Sequence, residues 1–428
     1  MRCIHNPNFR IAFAISLTFG LSSTSSAQSI PPTWLSVYDG DGHGVDISSS
    51  MIMDRFGNAY ITGRSGGISS GQDIVTLKYS RQGNRLLTLR YNGAANSWDE
   101  GNALATDDSG NIYVAGTSFL NSSRSEAIII KYSSSGTTQW EGHYAPLDTN
   151  TSATILKLVI DSSTNTLVAG GNSLLLRYTL SGSLLSAFSY LPDSLVQPYP
   201  DTMYQMSDLK TASDGSICVV GTKSWMPEGG DVPEADGFSL KLDSHESLLW
   251  MRFFDAYGAK SLAVDGDDNL LVTTNDPVSI VKYDGNGELL WSKSYPLTTD
   301  AFVIITDLKT DSMNNVYVTG YGFAEQTAFD YVTVKLDPNG NELWSNHYDS
   351  GDTTRDFGSA LALDKEGAVY VTGSSMYGWY DSSRSSTVKY DARGRMVGEA
   401  YFSRGRYTGG RGIAVSDSGD VFVGGDLS

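Results

Sequence analysis

Asp311-Ser-Met-Asn-Asn-Val-Tyr-Val-Thr-Gly320 is one of eight copies of a phrase that returns about every fifty residues. Its second half recurs at 58–63, 111–116, 165–170, 216–221, 269–274, 368–373 and 420–425. Each copy follows an aspartate, read here as Asp54, Asp108, Asp161, Asp214, Asp265, Asp311, Asp364 and Asp417. A tight turn leads into a short strand that is apolar on both faces and rich in β-branched and aromatic residues. At this period, that pattern marks a four-stranded propeller blade. The phrase predicts an all-β chain: a β-propeller of four-stranded antiparallel blades.

The repeat at 359–402 shows the whole unit. Ser359–Asp364 reads as strand a, Val369–Gly373 as b, Ser386–Tyr390 as c and Val397–Phe402 as d. The c–d hairpin has its own signature, a basic residue, usually Tyr, then a Gly-containing turn and often Trp. Examples are Lys282-Tyr283, Gly287 and Trp291. Glycine supplies the positive φ that such tight connections need.

The two ends of the chain do not match. Trp34–Tyr38 has the pattern of a d strand, whereas the chain's last repeat reaches only its b strand. An N-terminal d-type strand at 34–38 is expected to complete that last, incomplete unit and hide its edge. Eight blade units are expected, with seven complete blades plus an extra strand pair as the alternative.

Residues 1–27 carry a basic start (Arg2, Arg10), a short apolar run from Ile11 to Leu21, and small residues at Ser25-Ser26-Ala27. They read as a signal peptide, leaving 28–428 as a single propeller domain exported in soluble form. Removing that segment changes a formal charge of −18 to 28 − 48 = −20. Such an acidic surface argues against nucleic acid and anionic membrane surfaces as partners. Cys218 is then the one remaining thiol, so no internal disulfide is expected, and it sits where sister repeats place Tyr or Leu.

These units resemble the bacterial SBBP (seven-bladed β-propeller) repeat family, with Asp311–Gly320 and Val334–Tyr348 the clearest copy. The resemblance runs from about Trp34 to Ser428 and implies a secreted or envelope-associated bacterial protein without an established enzymatic activity. The repeat count departs from seven.

Because strand direction alternates, the a–b and c–d turns share one face and the d–a and b–c loops share the other. The second set is long, variable and aromatic, so a partner is expected there. Trp98 falls in a d–a loop, and Trp225 and Trp379 in b–c loops, outside the repeated Trp slot. Tyr199, Tyr204, Phe323, Tyr377 and Tyr380 accompany them. With carboxylates such as Glu100 they suit sugar stacking or a protein contact, the structural alternative being rings that cap loops over the core.

Asp46, Glu100 and Asp356 are read as equivalent positions that cluster around a cation or cap turns. Asp39, Asp41 and Asp46 hint weakly at a calcium loop, although the ligand spacing of a helix–loop–helix calcium site is missing. No nucleophile elbow, zinc helix motif or phosphate loop is present, so no catalytic residue is assigned.

The leading expectation is a monomeric, exported, non-catalytic binding or scaffold propeller that contacts a protein or glycan through the d–a/b–c face. The alternative is a propeller enzyme acting at the central axis, either a carbohydrate lyase or hydrolase or a quinoprotein-like oxidoreductase.

Overall fold

The computed structural model describes residues 10–18, 28–29, 31–42, 44–146, 152–190, 202–227, 232–275, 277–294, 303–324, 328–351, 354–378 and 382–427. Seven sheets each contain four consecutive antiparallel strands, and the one at 354–402 gains Gln28–Ser29 as a parallel fifth strand beside Met396–Phe402. The first contains Asp46–Met53, Ala59–Gly66, Gln72–Tyr79 and Arg85–Tyr91. The others follow at 99–144, 157–189, 203–254, 259–294, 303–348 and 354–402. The fold is the all-β propeller class that the repeat predicts.

An eighth sheet is assembled from both ends of the chain. Thr408–Val415 and Asp420–Leu427 supply its first two strands, Arg10–Thr18 the third and Trp34–Val37 the outermost. The unit has only two consecutive strands of its own, and the N-terminal d strand joins it as expected. Its third place holds residues that the sequence reading assigned to the apolar run of a signal peptide. There Ala14 packs among Tyr38, Ile61, Val75 and Tyr79, and Leu17 among Tyr370, Phe402 and Val421.

The residues divide into two compact units. One is Met1–Ser152 with Gln326–Tyr331 and Tyr348–Ser428; the other is Ala153–Glu325 with Val332–His347. In the first, the leading strands Thr354–Leu363, Thr408–Val415, Asp46–Met53 and Asp99–Thr106 lie next to one another in that order. In the second, Lys157–Asp161, Met203–Thr211, Ala259–Val264 and Val303–Thr310 do the same.

Each residue of the repeated phrase has a physical task. Asp311 Oδ1 accepts the Met313 and Asn315 backbone N–H groups, while its Oδ2 accepts Asn315 Nδ2 at 2.8 Å and the Tyr317 hydroxyl at 2.9 Å. Asp54 and Asp107 repeat the arrangement with Asn58 and Tyr60, and with Asn111 and Tyr113. The aspartate thus organises the a–b turn while the tyrosine ring fills the core.

The closing glycine answers a bulge. The a–b register slips between Ile305 and Asp307, and between Ser48 and Ser50. Each slip drives an a-strand carbonyl toward the b strand, so a Cβ on Gly320 would lie 1.9 Å from the Ile304 oxygen.

The c–d hairpin is explained similarly. A second bulge falls between Lys282 and Tyr283. Gly287 in the same hairpin's turn has φ +79°, and a Cβ there would meet the ring of the preceding blade's Trp250 at 2.6 Å. Trp250 Nε1 donates to the Gly285 carbonyl at 3.1 Å, and Trp291 Nε1 to Pro338 at 3.0 Å. The recurring Trp and Gly are therefore two halves of one contact between neighbouring blades. The basic residue of strand c stands over the strand-b tyrosine, as Lys335 does over Tyr317 at 4.9 Å, or pairs with the turn aspartate, as Lys282 does with Asp265 at 2.8 Å. These lysines are structural.

Cys218 is buried beside Val220, Leu270 and Val272. Burial pushes its thiol up to about 12, which makes it an unreactive core residue.

Candidate functional site

The d–a/b–c face of the first unit carries a layer of polar groups in register. In the first sheet Arg90 donates to Asp73 at 2.7 Å, and in the second His143 meets Glu126 at 2.8 Å. At the same two strand positions of the seventh, Arg384 lies 3.7 Å from the centre of the Tyr401 ring. One layer deeper, the first residues of strand a close the d–a loops. Asp46 accepts the Gly40 N–H at 3.0 Å, Asp99 that of Gly93 at 2.7 Å, and Asp356 that of Ser350 at 2.9 Å. Burial raises the Asp99 and Asp356 carboxyls above the usual range, and hydrogen bonds from their serine and backbone partners offset only part of that rise.

This arrangement corrects the reading of Glu100. The turn aspartate of the second repeat is Asp107, not Asp108, so the equivalent of Asp46 and Asp356 is Asp99. Glu100 instead receives Arg64 at 2.6 Å, and the same guanidinium lies 4.5 Å from the centre of the Trp98 ring. Trp98 is 43% exposed. Trp98, Arg64 and Glu100 thus form one surface cluster, whose arginine escaped the sequence reading because it belongs to another repeat.

The other singled-out aromatics divide. Trp225 is half-buried under Lys223 at 4.8 Å, and Tyr377 is half-buried near Arg384 at 5.4 Å. Phe323 is exposed. Tyr204 is not an exposed aromatic: it is 8% accessible and packs edge-on against Phe238 at 5.7 Å. Tyr199, Trp379 and Tyr380 lie outside the described residues.

Asp39, Asp41 and Asp46 do not converge as a ligand set. Among the described residues, the group of three carboxylates within 4.8 Å of one another is Asp330, Asp349 and Asp356, and Asp46 is occupied as a loop cap. In the second unit the leading strands bring Lys157 and Lys210 within 3.4 and 3.8 Å of Asp208, and Lys309 within 3.2 Å of Asp307. Three ammoniums thus stand against two carboxylates, a formal +1.

A cleft of about 280 Å³ opens on the d–a/b–c face of the first unit. Its walls come from the starts of two a strands (Asp46, Ile47, Gly409, Arg411), from Tyr407 just before one of them, and from the b strands (Ser374, Asp426). Arg411 Nε donates to Asp426 Oδ2 at 2.9 Å, and Asp426 Oδ1 accepts Ser48 N–H and Oγ–H at 3.0 and 2.8 Å. The arginine side chain is 67% exposed, and its two terminal nitrogens make no hydrogen bond among the described residues. The cleft joins a positioned donor fork, an acceptor pair, an aromatic ring and an apolar edge. Of its residues the sequence reading named only Asp46, and named it for another chemistry. Apart from its neighbour Ile47, the rest come from positions more than 300 residues away along the chain.

Fold and site together define a β-propeller whose variable loop face carries a polar cleft. Within that class, the family model described as "SBBP: Beta-propeller repeat" matches residues 89–118, and the chain carries this repeat. The C-terminal WD40 domain of Sif2 is similar in structure, with a TM-score of 0.52 and 10% identity over 90% of this chain and 97% of that one. The Dos1 propeller is similar at 0.55 and 11% identity over 89% and 92%. At such identities the likeness is one of fold. Among curated proteins none matches the sequence.

Proposed function

We propose that this chain is an exported, non-catalytic binding or scaffold propeller that contacts a protein or glycan partner through its d–a/b–c face. One observation carries the reading. In the first unit the cleft and the cation-backed ring of Trp98 share that face, whereas the opposite turns of the unit are consumed by stereotyped hydrogen bonds that build the blades. Propellers host many unrelated activities, so it is the site and not the fold that supports binding. Export rests on the basic-apolar-small pattern of residues 1–27, and cleavage after Ala27 would take strand Arg10–Thr18 with it and leave the third place of the eighth sheet open. Among the described residues no helix is long and apolar enough to cross a membrane.

The Trp98→Ala, Trp225→Ala double variant tests the reading. Both rings lie on the surface under cations, so each loss is expected to cost only about 0.5–1 kcal/mol of stability. Capture of the partner, assayed with an immobilised glycan array and a protein interaction screen, is expected to fall at least tenfold. Undiminished capture by the folded double variant would refute contact through this face.

A further inference from the structure

We infer that the cleft between the start of Asp46–Met53 and the eighth sheet binds a neutral, hydroxylated six-membered ring: one sugar residue of a glycan. The inference deepens the functional reading above and rests on it.

The chemistry of the walls selects this class. A vicinal diol offers two hydroxyls, each able to donate and to accept. Arg411 presents two unengaged terminal nitrogens as donors, and its Nε is locked to Asp426, so the fork is held in place. The Asp426 carboxylate beside it, oriented by Ser48 N–H and Oγ–H, is the matching acceptor. A donor fork and a carboxylate fixed side by side suit adjacent hydroxyls better than a single polar atom.

The rest of the cleft fits the same ring. Tyr407, whose ring has Arg406 over it at 5.4 Å, adds an aromatic surface to the lining for axial C–H groups, and Ser374 adds a hydroxyl from the opposite wall. At Gly409 a side chain would meet Ser374 Oγ at 2.7 Å, so glycine keeps the two walls as close as they are. The cleft volume, about 280 Å³, lies just below the roughly 300–1,000 Å³ typical of small-molecule sites, a size for one ring and not for an extended chain.

Charge excludes the neighbouring classes. Arg411 pairs with Asp426, and Asp46 also lines the cleft, so one guanidinium against two carboxylates leaves it at a formal −1 and a phosphate or carboxylate ligand gains little. A bare cation would have to displace the Arg411 and Ser48 donors from Asp426.

The test titrates the full chain with the methyl pyranosides of glucose, galactose and mannose, alongside glucuronate, followed by ligand-observed NMR. At least one neutral glycoside is expected to bind one-to-one with a Kd in the millimolar range, about what one small ring supplies. Arg411→Gln is expected to weaken that binding at least tenfold with an unchanged melting temperature, because the side chain is mostly solvent-exposed. Methylating two adjacent hydroxyls of the glycoside is expected to abolish binding, and glucuronate to bind no more tightly than the neutral ring.

Failure of all three glycosides, or wild-type affinity in Arg411→Gln, overturns the assignment. If the glycosides fail while a protein partner is still captured in a Trp98-dependent way, the sugar site falls and the functional reading stands. If the glycosides bind while the tryptophan variant loses nothing, the cleft stands and the wider face does not.

Discussion

Replacing Lys282 with methionine is expected to destabilise the folded chain by about 3–5 kcal/mol, the cost of leaving one partner of a buried ion pair uncompensated. Lys282 and Asp265 are both almost wholly buried, 2.8 Å apart, and the ammonium also donates to the Pro338 carbonyl at 3.2 Å. Methionine keeps the volume of the stem but removes the charge, so the loss reports on Asp265 and not on a cavity. Urea unfolding at neutral pH measures it directly.

The pH dependence of the same variant fixes the sign. Burial raises the Asp265 carboxyl, but hydrogen bonds from Lys282, the Asn269 side chain, and the Asn269 and Asp267 N–H groups outweigh it and hold the carboxyl below its ordinary value. A carboxylate depressed on folding stabilises above its unfolded pKa, near 4, and that stability is lost as pH falls through the folded value. The wild-type advantage over Lys282→Met is therefore expected to be complete at pH 6–7 and to shrink below about pH 4. An advantage that grows on acidification would contradict the pairing.

Trp250→Ala is expected to cost a similar amount, about 3–5 kcal/mol, through lost burial and the cavity left behind. The ring is 6% exposed, lies 5.8 Å from the Tyr283 ring and donates to Gly285 of the next blade. Gly287→Ala probes the same contact from the other side, since its Cβ would strike the indole and its φ of +79° disfavours any side chain. The pair is expected to be non-additive, because alanine at 250 makes room for alanine at 287. Equal and additive losses would mean that ring and glycine do not meet.

Much of this architecture was legible because the fold repeats its solutions. Aspartate, asparagine, tyrosine and glycine recur at fixed offsets since every blade must cap one turn, fill one core slot and admit one bulging carbonyl. The reading slipped where two aspartates stood side by side. Asp107-Asp108 placed the repeat one residue late and exchanged the buried cap Asp99 for the surface residue Glu100. Tyr204 was misjudged because an aromatic near a long loop looks the same in sequence whether it faces solvent or folds back onto Phe238.

The third strand of the eighth sheet shows a different limit. A run of nine residues rich in Ile, Ala, Phe and Leu fits a signal peptide and a strand buried on both sides equally well, since neither demands a period. The cleft was the least visible feature. Its walls join residue 46 to residues 374–427, and no local pattern announces that Arg411 and Asp426 meet there.

The central claim is that the last two strands form a true blade, packed between the seventh sheet and the first, and so wall the cleft. Native-state hydrogen exchange on the full chain tests it most directly. The account predicts that amides of Thr408–Val415 and Asp420–Leu427 exchange as slowly as those of Val369–Tyr377. Rapid exchange across 408–427, with the other sheets protected, would contradict it.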